Sequence, residues 1–133
     1  MTSVTPAPWT ILVVDDDVLI NMNTVDLLQD LGHTALEAYS GAQALTILRG
    51  GTHVDLLLTD YSMPGMSGVE LAAQAQALIP GLPVLLATGY ADLPDGVQCA
   101  LPRLPKPYEQ SQLAAQLALL LAKRGAPVPD GAH

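Results

Sequence analysis

The chain of 133 residues contains no phenylalanine, a single cysteine and only five basic residues. Without phenylalanine, its core must be built from leucine, valine, alanine and isoleucine. Cys99 cannot form an intramolecular disulfide, so we interpret it as a small packing residue in a reducing compartment. A cytoplasmic location is expected.

Positive charge is scarce and dispersed, and the formal net charge is −8. Because no run of lysine or arginine can follow a phosphate backbone, direct binding to nucleic acid is not expected. An acidic membrane surface would also repel the chain. The sequence shows no targeting segment, and its apolar stretches are too short to span a bilayer.

Continuous apolar runs predict strands buried on both faces, because their apolar residues do not alternate with polar ones. The predicted strands are Thr10–Val14, His33–Ala38, Val54–Thr59, Leu82–Thr88 and Leu101–Leu104. His33–Ala38 is predicted as a weaker strand and Leu101–Leu104 as a short one.

The segments between these runs have apolar residues at helical spacing. The first predicted helix, Val18–Leu31, carries Val18, Val25, Leu28 and Leu31 as its apolar positions and has Asp17 as N-cap. Alternation of strands and helices predicts an α/β fold, in which helices cover both faces of a parallel sheet. Ser40 and Ser67 are the predicted N-caps of the next two helices, the second of which runs to about Leu78. Two more helices are predicted over Asp95–Ala100 and Glu109–Lys123.

The length predicts one domain, over residues 9–124. Residues 1–8 are expected to be a flexible lead-in, and residues 125–133 a disordered tail. His33 and His53 fall at predicted loop edges and are interpreted as surface residues.

Polar residues follow the predicted strands at the edge where ligands bind in such sheets. Asp15 and Asp16 follow the first strand, Asp60 the third and Thr88 the fourth, and Lys106 precedes the last helix. Crowded carboxylates without histidine or cysteine favour a hard cation such as Mg²⁺ or Mn²⁺ and disfavour zinc. A cation, a lysine and a hydroxyl around one carboxylate suit phosphoryl transfer.

Four stretches resemble the signatures of response-regulator receiver domains, in the order of that family: VVDDD at 13–17, LLLTDYSMPGMSGVEL at 56–71, PVLLATGYA at 83–91 and LPKPY at 104–108. The resemblance covers residues 9–122. It implies a flavodoxin-like, doubly wound sheet of five parallel strands in the order 2-1-3-4-5. The phrase ATGYAD is similar to stand-alone receivers and to receivers of hybrid histidine kinases.

The resemblance also implies roles for individual residues. Asp60 corresponds to the aspartate that accepts a phosphoryl group from a phosphohistidine, so a histidine kinase or a histidine phosphotransfer protein is the implied partner. The remaining positions correspond to Mg²⁺ ligands (Asp15, Asp16, Asp60 and the backbone carbonyl of Ser62) and to groups that contact the phosphoryl oxygens (Thr88 and Lys106).

The sequence departs from the family pattern between Thr88 and Lys106, where the chain is shorter and rich in proline. Helix four is therefore expected to be short or irregular. Arg103 stands where the family usually has a switch aromatic, and Tyr90 is the candidate substitute. The apolar last helix is compatible with a homodimer or with a place in the core.

Two other functions stay open at this stage. Asp15-x-Asp17 resembles the motif of haloacid-dehalogenase-like phosphatases, with Asp15 as nucleophile, but that reading gives Asp60 no role. A phosphorylation-independent adaptor could use the same fold, although it would not need the acidic residues. The receiver resemblance implies a signalling phosphoacceptor that is not an enzyme beyond self-phosphorylation and autodephosphorylation.

Overall fold

A computed structural model describes residues 9–89, 102–106 and 108–122. The predicted lead-in, tail and helix Asp95–Ala100 lie outside these residues, as do Tyr90 and Cys99. In chain order, the elements are β1 (Thr10–Val14), α1 (Val18–Asp30), β2 (Thr34–Ala38), α2 (Gly41–Arg49), β3 (Leu56–Asp60), α3 (Gly68–Leu78), β4 (Val84–Thr88), β5 (Arg103–Pro105) and α4 (Gln110–Ala122).

The strands form one parallel sheet in the order β2-β1-β3-β4-β5, which confirms the predicted flavodoxin-like topology. In β1, Val14 lies opposite Ala38 of β2 and Thr59 of β3, while Thr88 of β4 lies opposite Pro105 of β5. The strands therefore end together at one edge. The order reverses between β1 and β3, which is where such sheets open a crevice for ligands.

Each face of the sheet carries its own hydrophobic layer, because alternate residues of a strand point to opposite sides. On one face, Leu12 and Leu57 pack in a cluster with buried residues of α2 and α3. On the other face, Ile11 and Leu58 pack in a cluster with residues of α1 and α4. Both layers are largely aliphatic, as expected without phenylalanine, and Trp9 adds an aromatic side chain to the second.

Three predicted N-caps are confirmed. The Asp17 carboxylate accepts hydrogen bonds from the backbone N–H groups of Leu19 and Ile20, and Ser40 caps α2. Ser67 and Glu70 form a reciprocal capping box at the start of α3. These bonds satisfy N–H groups that have no partner within a helix, and they fix where each helix begins.

Strand ends differ from the prediction by one to two residues. β3 begins at Leu56, two residues later than predicted, and the carboxylate of the preceding Asp55 accepts a hydrogen bond from the Thr10 N–H. β5 spans Arg103–Pro105, whereas Leu101, the first residue of the predicted strand, lies outside the described residues. These positions depend on pairing between strands, which composition does not reveal.

The buried face of α1 agrees with the predicted spacing at Val25 and Leu28 but differs at the first turn. Val18 is 51% exposed, whereas the polar residues Asn21 and Thr24 are buried beside Val25 and Leu28. The prediction followed hydrophobic spacing alone. It therefore missed Asn21 and Thr24, whose hydrogen-bond partners inside the protein offset the cost of burying them.

His33 is buried, so its prediction as a surface residue was wrong, whereas His53 is exposed as predicted. The Nδ1 atom of His33 accepts a hydrogen bond of 3.2 Å from the Trp9 N–H. Burial lowers the pKa of His33 below its usual value of 6.5. The unfolded chain therefore binds a proton at this residue more readily than the folded protein does.

We expect the free energy of unfolding to fall as the pH drops through about 6.5, because protonation of His33 favours the unfolded chain, and to level off below the folded pKa. Urea unfolding between pH 7.5 and pH 5 measures this change. His33→Gln keeps an acceptor but does not titrate, so it should flatten the dependence in this range. An unchanged slope in the variant would assign the effect to other groups.

Candidate functional site

The carboxyl edge of the sheet brings together the polar residues predicted from the strand ends. Asp15 follows β1 directly, Asp60 and Thr88 are the last residues of β3 and β4, and Lys106 follows β5. Because parallel strands all end at this edge, residues separated by up to 91 positions become neighbours.

Three carboxylates form a cluster at this edge. One oxygen from each of Asp15, Asp16 and Asp60 lies within 4.8 Å of the others, and Asp15 and Asp60 are buried while Asp16 is exposed. Oxygens on opposite sides of a bound Mg²⁺ are roughly 4.2 Å apart, twice a metal–oxygen distance of about 2.1 Å. The cluster therefore has the donor chemistry and nearly the spacing that a small hard cation requires.

Lys106 bridges two of these carboxylates. Its Nζ lies 3.1 Å from Asp15 Oδ2 and 2.9 Å from Asp60 Oδ1, and the side chain is only 18% exposed. Burial by itself lowers the pKa of Lys106, but the hydrogen bond and charge of Asp60, followed by those of Asp15, raise it above its usual value. Lys106 is therefore an ammonium at neutral pH.

The backbone joins Thr88 to the same group. The Lys106 N–H donates a hydrogen bond of 2.8 Å to the Thr88 carbonyl, and the Tyr61 N–H donates one of 2.8 Å to the Ala87 carbonyl. These bonds continue the sheet past its last paired residues. They hold Thr88, which is buried, beside the strand ends that carry Asp60 and Lys106.

The remaining predicted site residues are exposed or lie outside the described residues. Ser62 is exposed in the loop after β3. Arg103 is exposed and pairs in register with Leu86, two residues before the end of β4. Tyr90 lies outside the described residues.

Sequence reasoning missed two polar residues of α1 that support the site. The Asn21 amide donates hydrogen bonds to the backbone carbonyls of Asp15 (3.2 Å) and Ala38 (2.9 Å). The Thr24 and Tyr108 hydroxyl oxygens lie 2.6 Å apart. Asn21 and Thr24 are three positions apart on the core face of a helix, and that spacing of polar residues could have revealed them.

Gly68, the first residue of α3, packs directly behind Asp60. A Cβ at this position would overlap the backbone carbonyl oxygen of Asp60 and lie 2.7 Å from Leu86 Cδ1. The Gly68 N–H also donates a hydrogen bond of 2.8 Å to the Tyr61 carbonyl. Because sheet backbone cannot move aside as a flexible side chain does, only glycine fits here without a shift.

We expect Gly68→Ala to lower the free energy of unfolding by about 3 kcal/mol, because it overpacks the junction of β3 and α3. Urea unfolding at pH 7.5 provides the measurement. Gly41→Ala is the matched control: its Cβ would meet the flexible Met66 side chain 2.7 Å away, so a smaller loss is expected. Equal losses in the two variants would contradict the steric account of Gly68.

Comparison with known proteins identifies the family. Residues 11–118 match the profile of the family described as "Response regulator receiver domain". This chain belongs to that family. The predicted fold and the predicted family, a receiver domain of two-component systems, are confirmed.

Individual relatives agree with this assignment. The receiver is 34% identical over 122 residues to the sensor kinase CckA of Brucella abortus (strain 2308), covering 86% of this chain and 13% of CckA. It is 43% identical over 84 residues to the chemotaxis protein CheY of Pseudomonas aeruginosa, covering 61% of this chain and 67% of CheY. It superposes with a TM-score of 0.79 on the crystal structure of a response regulator receiver domain protein from Clostridium thermocellum, with 27% identity, covering 87% of this chain and 96% of that one.

The receiver spans only a small part of several curated relatives, including 24% of the transcriptional regulatory protein GlrR of Escherichia coli (strain K12). Such relatives combine a receiver of this kind with further sequence. Among the described helices of this receiver, none has the length and hydrophobicity that a bilayer crossing requires.

Proposed function

We propose that this receiver accepts a phosphoryl group from a phosphohistidine onto Asp60. The observation that carries the proposal is the position of the buried Asp60 carboxylate, 2.9 Å from the Lys106 ammonium and within the acidic cluster. An Asp60 oxygen attacks phosphorus, the phosphorus–nitrogen bond of the donor breaks, and the imidazole leaves with the bonding electrons. Lys106 offsets the charge that develops on the phosphoryl oxygens, and the Thr88 hydroxyl bonds to the group once it arrives.

The divalent cation of this reaction would be Mg²⁺ or Mn²⁺, held by Asp15, Asp16 and Asp60 with the backbone carbonyl of Ser62. All four are oxygen donors, as hard cations prefer. Such an ion supplies positive charge that neutralises the transferred group. It would also relieve the repulsion among the carboxylates, which the ammonium of Lys106 alone does not balance.

The phosphodonor would be a histidine kinase or a histidine phosphotransfer protein that docks beside Asp60. The first turns of α1 carry exposed apolar side chains directly after the acidic residues: Val18 is 51%, Leu19 77% and Met22 50% exposed. Exposed apolar groups next to a reaction site are typical of a protein-binding surface. We place the donor's contact there.

The receiver does not act as a phosphatase in this account. In the phosphatase alternative the nucleophile is Asp15, but Asp15 Oδ1 accepts a hydrogen bond from the Asp17 N–H and Oδ2 accepts one from Lys106. Each molecule should take up at most one phosphoryl group and lose it by autodephosphorylation. Many turnovers of p-nitrophenyl phosphate per chain would favour the phosphatase.

We expect the protein to gain one phosphoryl group when it is incubated with acetyl phosphate and Mg²⁺. Intact-mass spectrometry at short times measures this gain. Removing the metal with EDTA should abolish it, because the carboxylate cluster then lacks its cation. If the phosphoryl group is lost too quickly to be detected, beryllofluoride, a phosphoryl mimic that is not hydrolysed, should still bind. Failure of both acetyl phosphate and beryllofluoride to bind would favour the adaptor.

A further inference from the structure

Thr24 is a polar residue in an apolar place. It lies on the core face of α1, is 1% exposed, and its hydroxyl oxygen is 2.6 Å from the Tyr108 phenol oxygen. A buried hydroxyl is costly unless it is hydrogen-bonded, and Tyr108 supplies that bond. Burial raises the pKa of Tyr108, so the phenol is protonated at neutral pH and one of the two hydroxyls can donate to the other.

This hydrogen bond crosses a gap in the structure. A cavity of about 420 Å³ opens between α1 and the segment after β5, and its lining includes Thr24, Tyr108 and Lys106. The Lys106 stem therefore does not pack tightly against α1. Where close packing is missing, a directional bond can fix the distance between two elements more firmly than dispersion contacts do.

Lys106 needs such a fixed distance. Its Nζ must reach Asp15 and Asp60 together, at 3.1 Å and 2.9 Å, at the end of a flexible stem of four carbons. On the sheet side, its backbone N–H is held by the Thr88 carbonyl. On the helix side, the nearest anchor in sequence is Tyr108, two residues away, which is bound to Thr24.

We propose that the hydrogen bond between Thr24 and Tyr108 positions Lys106 for phosphoryl transfer. The pair touches neither the carboxylates nor the phosphoryl group, so it acts through the segment that carries the lysine. Loss of either hydroxyl lets this segment move relative to α1. Lys106 then spends less time between the two carboxylates, while the carboxylates themselves keep their places.

The proposal rests on Asp60 being the phosphoacceptor and is tested with two nearly isosteric variants, Thr24→Val and Tyr108→Phe. With acetyl phosphate and saturating Mg²⁺, each variant should be phosphorylated roughly five- to twentyfold more slowly than the wild type, because a misplaced catalytic group slows its reaction. The Mg²⁺ affinity, followed through the amide NMR shifts of Asp15 and Asp16, should not fall, because both carboxylates remain in place and a displaced ammonium opposes the cation less.

Three further variants separate positioning from general damage. Thr24→Ser keeps the hydroxyl and should react within about twofold of the wild type. The double variant Thr24→Val/Tyr108→Phe should be no slower than the slower single variant, because both changes remove the same bond. Thr46→Val is a matched control: it removes a threonine hydrogen bond from α2, away from Lys106, and should not slow the reaction.

Several results would overturn the proposal. If both single variants were phosphorylated at the wild-type rate, the hydrogen bond would contribute only to the stability of the fold. Multiplying losses in the double variant would show that the hydroxyls act separately. A parallel loss of Mg²⁺ affinity would show that the whole site is distorted.

Failure of the proposed function would look different. In that case the wild type would take up no phosphoryl group. The position of Lys106 would then be followed by its side-chain ¹⁵N NMR signal in place of the phosphorylation rate. This signal should shift to a common position in Thr24→Val and Tyr108→Phe. An unchanged signal would overturn the positioning role by itself.

Discussion

Asp60→Asn is expected to abolish phosphoryl uptake while leaving the fold intact. The amide has the shape of the carboxylate and can still bond to Lys106, but it is not a nucleophile for phosphorus. It also removes one of the three carboxylates that would hold the cation, so the Mg²⁺ affinity should fall as well. Intact-mass spectrometry with acetyl phosphate and Mg²⁺ should show no gain over the time in which the wild type is labelled.

Asp55→Asn is the matched control for this variant. Asp55 is also a buried aspartate, but it lies before β3, at the opposite edge of the sheet, where its carboxylate contacts the Thr10 N–H and His53. This variant should still gain one phosphoryl group. The assignment of the acceptor would be contradicted if Asp60→Asn gained a phosphoryl group, or if Asp55→Asn lost phosphoryl uptake while Asp60→Asn kept it.

Lys106→Met should have two opposite effects at the same site. The phosphorylation rate should fall roughly 10²-fold, because no ammonium offsets the charge on the phosphoryl oxygens. The Mg²⁺ affinity should rise about tenfold, because the positive charge now 3.1 Å from Asp15 and 2.9 Å from Asp60 no longer opposes the cation. A purely structural role for Lys106 would lower both quantities together.

The same substitution should make stability depend on the metal. Without the ammonium that bridges them, two buried carboxylates repel each other, and the free energy of unfolding should fall by about 3 kcal/mol. Saturating Mg²⁺ should restore much of this loss, since an ion that binds only the folded state stabilises it. Urea unfolding with and without Mg²⁺ measures both effects, and a loss that Mg²⁺ does not reduce would contradict the electrostatic account.

The fold could be predicted from the sequence because its signals are local and agree with one another. Most strands are continuous apolar runs, three helices begin directly after the N-caps Asp17, Ser40 and Ser67, and strands alternate with helices. The position of each acidic residue then followed from one rule, that parallel strands end at a common edge. Asp15 and Asp60 could be expected to meet for that reason.

What the sequence did not reveal depends on contacts between distant residues. Hydrophobic spacing placed Val18 in the core, yet Asn21 and Thr24 are buried because Asp15, Ala38 and Tyr108 offer them partners from elsewhere in the chain. His33 was assigned to the surface because the partner that makes its burial tolerable is the backbone of Trp9, 24 residues away. No local pattern encodes such pairings.

The most direct test of the central claim is to locate the phosphoryl group. Borohydride reduces an aspartyl phosphate to homoserine, and peptide mass spectrometry of the labelled and reduced protein identifies the position. The account predicts homoserine at position 60 and unmodified aspartate at positions 15 and 16. Homoserine at position 15 would contradict it, and would support the alternative in which Asp15 is the nucleophile.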